Sequence, residues 1–170
     1  MDITQLILDD HHEQRRLFAI LEQVDRSDTA ALTAIWSRLA TFLEVHAKAE
    51  EVVFYPQLLQ IGDGAGGKES PEGETKDAIK DHNEIRDAVT AVGSYDVGSD
   101  RWYEAVAATN KANGDHMAEE EREGLTDFRR TASLHTSHQI AVAFATFEAR
   151  YVTGVRSVNK DPDKYVAENA

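Results

Sequence analysis

Two short polar patterns occur twice in this chain, in the same order and at nearly the same separation. Asp10-His11-His12-Glu13 returns 71 residues later as Asp81-His82-Asn83-Glu84. His46-Ala47-Lys48-Ala49-Glu50 returns 70 residues later as His116-Met117-Ala118-Glu119-Glu120. Within each half, a single His precedes the His-x-x-x-Glu pair by 35 or 34 residues. Such a repeat predicts two copies of one helical hairpin, packed face to face around a shared centre.

The rest of the chain fits that plan. Apolar residues recur at steps of three and four, and no stretch alternates with period two long enough to predict a strand. A first helix is expected from Asp2 to about Asp25, with Gln5 completing a capping box and Ile7, Leu8, Phe18, Leu21 and Val24 on one face. Ser27 and Asp28 are candidate caps for a second helix, whose inner stripe reads Leu32, Ile35, Leu39, Phe42, His46, Glu50 and Val53. Pro56 should kink or end it. Residues Gly62 to Gly73 read as a flexible connection, since they lack the Lys-Ser/Thr ending and preceding strand of a phosphate-binding loop. Ser70-Pro71 opens a third helix carrying Ile79, His82, Ile85, Val89 and Val92. After a turn at Gly93 to Gly98, a fourth carries Trp102, Val106, Thr109, Asn113, His116 and Glu120. Beyond Gly124 a fifth helical segment is expected over Ala132–Tyr151, followed by a polar tail. The expected class is all-α: an antiparallel up-and-down four-helix bundle with an additional C-terminal helix. The bundle should span residues 1–125, as hairpins 1–60 and 70–123, and the C-terminal helix and tail 126–170.

Composition narrows the chemistry. A chain of 170 residues is long enough to bury one core without disulfides, and the absence of Cys removes thiolate ligands and thiol nucleophiles. A formal charge of −13 disfavours nucleic acid as a partner, because affinity for phosphates comes from Lys and Arg. No basic-then-apolar leader and no membrane-length apolar run is present, so a soluble, cytoplasmic protein is expected.

Positions i and i+4 share a helix face, so His46 with Glu50 and His116 with Glu120 can point together into the bundle. With His11 and His82 they give four imidazoles and two carboxylates on the inner stripes, where apolar residues would otherwise sit. Burying two carboxylates without partners costs several kcal/mol each. No Lys or Arg lies on the stripes at that level, so a pair of cations is the natural compensation. The candidate metal ligands are therefore His11, His46, Glu50, His82, His116 and Glu120. Imidazole with carboxylate suits iron, manganese or zinc alike.

The segments DHHEQRRLF, HAKAEEVVFYP, DHNEI and HMAEEE resemble the hemerythrin-like, or HHE cation-binding, domain family, in order and with compatible spacing over residues 1–125. The resemblance implies a four-helix bundle with a non-haem centre of two iron ions, oxo- or hydroxo-bridged. It implies a role in binding or reacting with oxygen, peroxide or nitric oxide, as a sensor or in peroxide detoxification with weak peroxidase- or catalase-like activity. The alternative is an iron-binding regulatory or storage module without catalysis. The same six residues match the family's ligand positions, and His11 is preferred to His12 because both the repeat and the family pattern align it. Oxygen-carrying members resemble a site with a His-x-x-x-His pair on the third helix; here that place is Arg86, which points away from reversible oxygen carriage. Tyr55, beside Pro56, is a packing residue or an added ligand. Asp10, Glu51, Asp81 and Glu121 are suited to accept imidazole N–H bonds or to face solvent. His135 and His138 fall outside the repeat and read as surface or packing residues.

Overall fold

The computed structural model describes residues 1–65, 70–156 and 158–170, so residues 66–69 of the expected connection lie outside the described residues. The chain is helical, with α1 over Ile3–Leu21, α2 over Thr29–Ala49, a π-helical turn over Glu50–Phe54 and α3 over Tyr55–Ile61. It continues as α4 (Pro71–Val92), α5 (Asp100–Arg122), α6 (Gly124–Thr131), α7 (Leu134–Arg150) and α8 (Pro162–Asn169). No strand occurs among the described residues. Two hairpins, α1 with α2 and α4 with α5, form the bundle, and α2, the π turn and α3 serve together as its second rod.

Side-chain caps set most of the helix starts. Asp28 accepts from the Ala31 N–H, Ser70 from Gly73 and Ser99 from Trp102, each satisfying an amide that the first turn leaves free. The expected capping box at α1 does not form. Asp2 accepts both the N–H and the hydroxyl of Thr4, while Gln5 donates to Asp9 instead. α1 also ends at Leu21, four residues short of the expected limit. The turn between α4 and α5 needs Gly98, whose φ is +84° and whose missing Cβ would lie 2.6 Å from the Arg26 carbonyl oxygen.

Two apolar clusters fill the ends of the bundle. Leu17, Phe18, Leu32, Leu39, Ile85 and Trp102 pack at the end that carries the hairpin turns. Ile3, Ile7, Phe54, Leu58, Ile79 and Phe128 pack at the other. Between them runs a polar level, because the repeated His and Glu residues interrupt each inner stripe at one height.

The C-terminal part covers the bundle. Ile140, Ala141 and Phe144 of α7 and Tyr165 and Val166 of α8 join the second cluster. The expected fifth helical segment is α7, somewhat shorter than predicted, and the expected polar tail contains α8. α6 follows almost directly on α5, and its buried Asp127 accepts the N–H groups of Asp63 and Gly64.

Candidate metal centre

The π turn explains how one rod supplies so much of the polar level. Pro56 has no N–H, and the Tyr55 N–H reaches back to the Glu50 carbonyl rather than to Glu51. Across this wider turn, both members of two adjacent pairs are buried. Glu50 and Glu51 are 0% and 2% exposed, and Phe54 and Tyr55 are 0% and 1%. The extra residue in this turn shifts the inner face by about 100° relative to an uninterrupted α-helix, so residues before and after it both face inward.

All six residues singled out by the repeat meet at this level, and all are buried. His46 Nε2 lies 2.9 Å from Glu50 Oε1, His82 Nε2 lies 3.2 Å from Glu50 Oε2, and His11 Nε2 lies 3.3 Å from Glu120 Oε2. The Nε2 atoms of His82 and His116 are 3.2 Å apart. His12, the alternative to His11, is exposed. Donor atoms of His11, His46 and Glu50 form one group within 4.8 Å of one another, and those of Glu50, His82 and His116 form a second. Glu50 thus belongs to both groups, with one carboxylate oxygen toward each hairpin's imidazoles.

Each imidazole turns its other nitrogen outward onto a carboxylate. His11 Nδ1 meets Glu121 at 2.9 Å, His46 Nδ1 meets Asp10 at 3.0 Å, and His82 Nδ1 meets Glu51 at 3.2 Å. His116 Nδ1 stands 3.5 Å from Asp81. The four carboxylates come from the residue before an inward His or after an inward Glu, so the repeat extends to this outer layer. Proton-bearing Nδ1 atoms on carboxylates leave the Nε2 lone pairs facing inward, the orientation metal-binding imidazoles take.

Several of the inward atoms lack hydrogen-bond partners, while His82 Nε2 and His116 Nε2 face each other. His11 Nε2, His46 Nε2, both Glu50 oxygens and Glu120 Oε2 are buried, and none has a hydrogen-bond partner despite their proximity. Burial opposes charge on these groups, yet their mutual attraction outweighs it. His11 and His46 are raised by the carboxylates facing them, and His82 is raised to about 9 by Glu50 and Glu51. Glu50 is held well below the carboxylate range by His46 and His82, and Glu121 is lowered to about 2 chiefly by His11 and Arg15. Without a cation, this level is held together by protons on imidazoles. Divalent cations placed among the Nε2 atoms would supply the same positive charge and satisfy the unpartnered oxygens, so the donor set fits a pair of metal ions.

Tyr55 donates its hydroxyl to Glu120 Oε1 at 2.7 Å, and burial and the Glu120 charge push its ionisation well above the usual range, so it remains a donor. Arg86, at the place of a further His in oxygen carriers, turns its guanidinium to Glu51 at 2.5 Å. His138 sits at the surface against the Met1 amino group. Two residues escape sequence reasoning. Glu148 of α7 stands within 4.8 Å of the donor atoms of Asp10 and His46, and burial with the Asp10 charge pushes it up to about 8. Lys160, before α8, lies 2.6 Å from Glu51. Both belong to the C-terminal part, which carries no copy of the repeat to signal them.

A helical bundle whose imidazoles and carboxylates turn their free atoms to one buried level defines a class: the metal-binding helical bundles. The model of the hemerythrin HHE cation binding domain matches residues 2–126, and the chain belongs to that family. No curated protein and no solved structure gives a match.

Proposed function

We propose that this chain is a non-haem di-iron protein that binds or reacts with oxygen, peroxide or nitric oxide. In this reading His11, His46, Glu50, His82, His116 and Glu120 hold two iron ions. The observation that carries it is the convergence of buried Nε2 and carboxylate atoms from both hairpins, several of them without hydrogen-bond partners. When bound, the irons supply the electrons and open positions with which a small ligand reacts. The protein supplies the surroundings. Asp10, Glu51, Asp81 and Glu121 hold the imidazoles in orientation through Nδ1, and Tyr55 steadies Glu120 through its hydroxyl. The apolar clusters on either side keep bulk water out. A cavity of about 20 Å³ lined by Tyr55, Asp81, His116 and Glu120 has room for about one water-sized molecule, which favours a very small ligand.

A second reading is an iron-binding regulatory or storage module, in which metal occupancy sets stability. It is favoured by the same unpartnered buried carboxylates, which make the metal-free core costly. One experiment separates the readings: metal content per chain on freshly purified protein, with absorption spectra before and after peroxide. About two irons per chain with a spectrum that responds to peroxide supports the reactive reading. Two irons with a large thermal shift and no response supports the module. Absence of metal, with folding unchanged by chelation, overturns both.

A further inference from the structure

Glu51 and Glu121 occupy corresponding places in the two halves. Each follows an inward Glu, and each accepts from the Nδ1 of a His in the other hairpin. Each also takes the Arg four residues beyond that His: Arg15 meets Glu121 at 2.8 Å and Arg86 meets Glu51 at 2.5 Å. There the likeness ends. The Glu121 side chain is 29% exposed and its ion pairs among the described residues are with His11 and Arg15. The Glu51 side chain is fully buried and receives Lys160 Nζ at 2.6 Å as well, with Lys48 at 3.8 Å.

Lys160 arrives from outside residues 2–126, the part that matches the family model. It is fixed in place rather than resting on the surface. Asn83 Nδ2 donates to the Lys160 carbonyl at 2.7 Å, and the Lys160 N–H donates to Asn83 Oδ1 at 2.9 Å. The Tyr165 hydroxyl donates to the Glu51 carbonyl at 2.5 Å, and Lys160 Nζ sits 4.9 Å from the centre of the Tyr165 ring. Asn83 neighbours His82, so the C-terminal segment grips the His82 side of the centre at three points.

The consequence is electrostatic. A carboxylate on Nδ1–H makes an imidazole a stronger donor through Nε2. A cation on that carboxylate draws negative charge away from it, and adds a repulsion toward any cation beyond the ring. Both effects weaken the hold of His82. Resting on the reading that these residues bind two metal ions, we propose that Lys160 is a positioning residue that makes the two halves unequal, so that the ion held by His82 and His116 binds more weakly than the one held by His11 and His46.

The test is a spectrophotometric titration of the metal-free full-length chain with cobalt(II), comparing the natural chain with Lys160→Gln and Lys160→Arg. Arg86 still holds Glu51 in Lys160→Gln, so that variant removes charge while Glu51 stays anchored. The natural chain should bind two cobalt ions with stepwise constants about tenfold or more apart. Lys160→Gln should tighten the weaker step about tenfold and leave the stronger unchanged, and Lys160→Arg should restore the separation. Unchanged constants in Lys160→Gln overturn the inference, as does Lys160→Arg behaving like Lys160→Gln, or both steps moving together with a fall in melting temperature. A natural chain that binds no cobalt overturns the metal-centre reading itself, and this inference with it.

Discussion

Tyr55 and Phe144 show how far single side chains bear on the centre. The Tyr55 hydroxyl is the hydrogen-bond donor to Glu120 Oε1, so Tyr55→Phe strands a buried carboxylate oxygen. The metal-free variant should lose about 1–3 kcal/mol, read by urea unfolding. Phe144 is fully buried with its ring 5.9 Å from that of His46, so Phe144→Ala should cost about 3–5 kcal/mol through the cavity it opens. At this scale the sequence was informative where residues repeat. That His11, His46, Glu50, His82, His116 and Glu120 share one buried level was legible because two halves carried the same pattern, whereas the four outer carboxylates were open between imidazole contact and solvent. Arg86 was legible only as a departure. That it turns to Glu51 depends on the π turn bringing Glu51 inward, and nothing in local periodicity announces that rotation.

Among the elements, the π turn contributes most to the site. Val52 lies on its outer side and is 49% exposed, so its deletion removes little packing. It should convert the turn to regular α-helix and rotate either Glu50 or the Tyr55 pair out of the polar level. The expected outcome is a variant with natural helical circular dichroism and loss of metal binding. Gly98 holds the turn between α4 and α5, where Gly98→Ala should cost about 1–3 kcal/mol from the left-handed backbone and the contact with the Arg26 carbonyl. Caps and stripes made the four bundle rods readable from Asp28, Ser70-Pro71 and the His-bearing stripes. The capping box at Gln5 failed because Asp2 finds its partners in Thr4 and Ser137, the latter 135 residues away. α8 was not legible because an eight-residue helix with two buried apolar side chains carries almost no period; its placement comes from Glu51 and Asn83, distant in sequence, which hold Tyr165 and Lys160.

The whole molecule should respond to pH through its centre. His82 in the metal-free fold is raised from 6.5 to about 9, so its share of stability is complete below about 6.5 and is lost as pH rises through 9. Glu148, raised from 4.5 to about 8, prefers its proton in the fold, so its ionisation between those values also destabilises. Both signs agree. Thermal melts of chelator-treated protein should fall from about pH 6 to about pH 9, and Glu148→Gln should flatten the lower part of that decline. If His82 holds a metal ion as proposed, metal should abolish its contribution, because a bound cation would keep the ring unprotonated at Nε2. The overall architecture was legible because two similar hairpins have few ways to bury their stripes. The covering by α7 and α8 was not, since an apolar face on Ile140 and Phe144 fits either a bundle wall or a second copy.

The outer carboxylates are shared crosswise. Asp10 and Asp81 serve a His in their own hairpin, whereas Glu51 and Glu121 serve a His in the opposite one. The chain therefore behaves like a two-fold dimer written as one polypeptide, with each partner lending the other a side chain. Produced as separate pieces, residues 1–65 and 70–170 would each carry an imidazole whose anchor is on the other fragment. Each alone would be an unfinished vessel, and mixing the two is what would restore a place for cations.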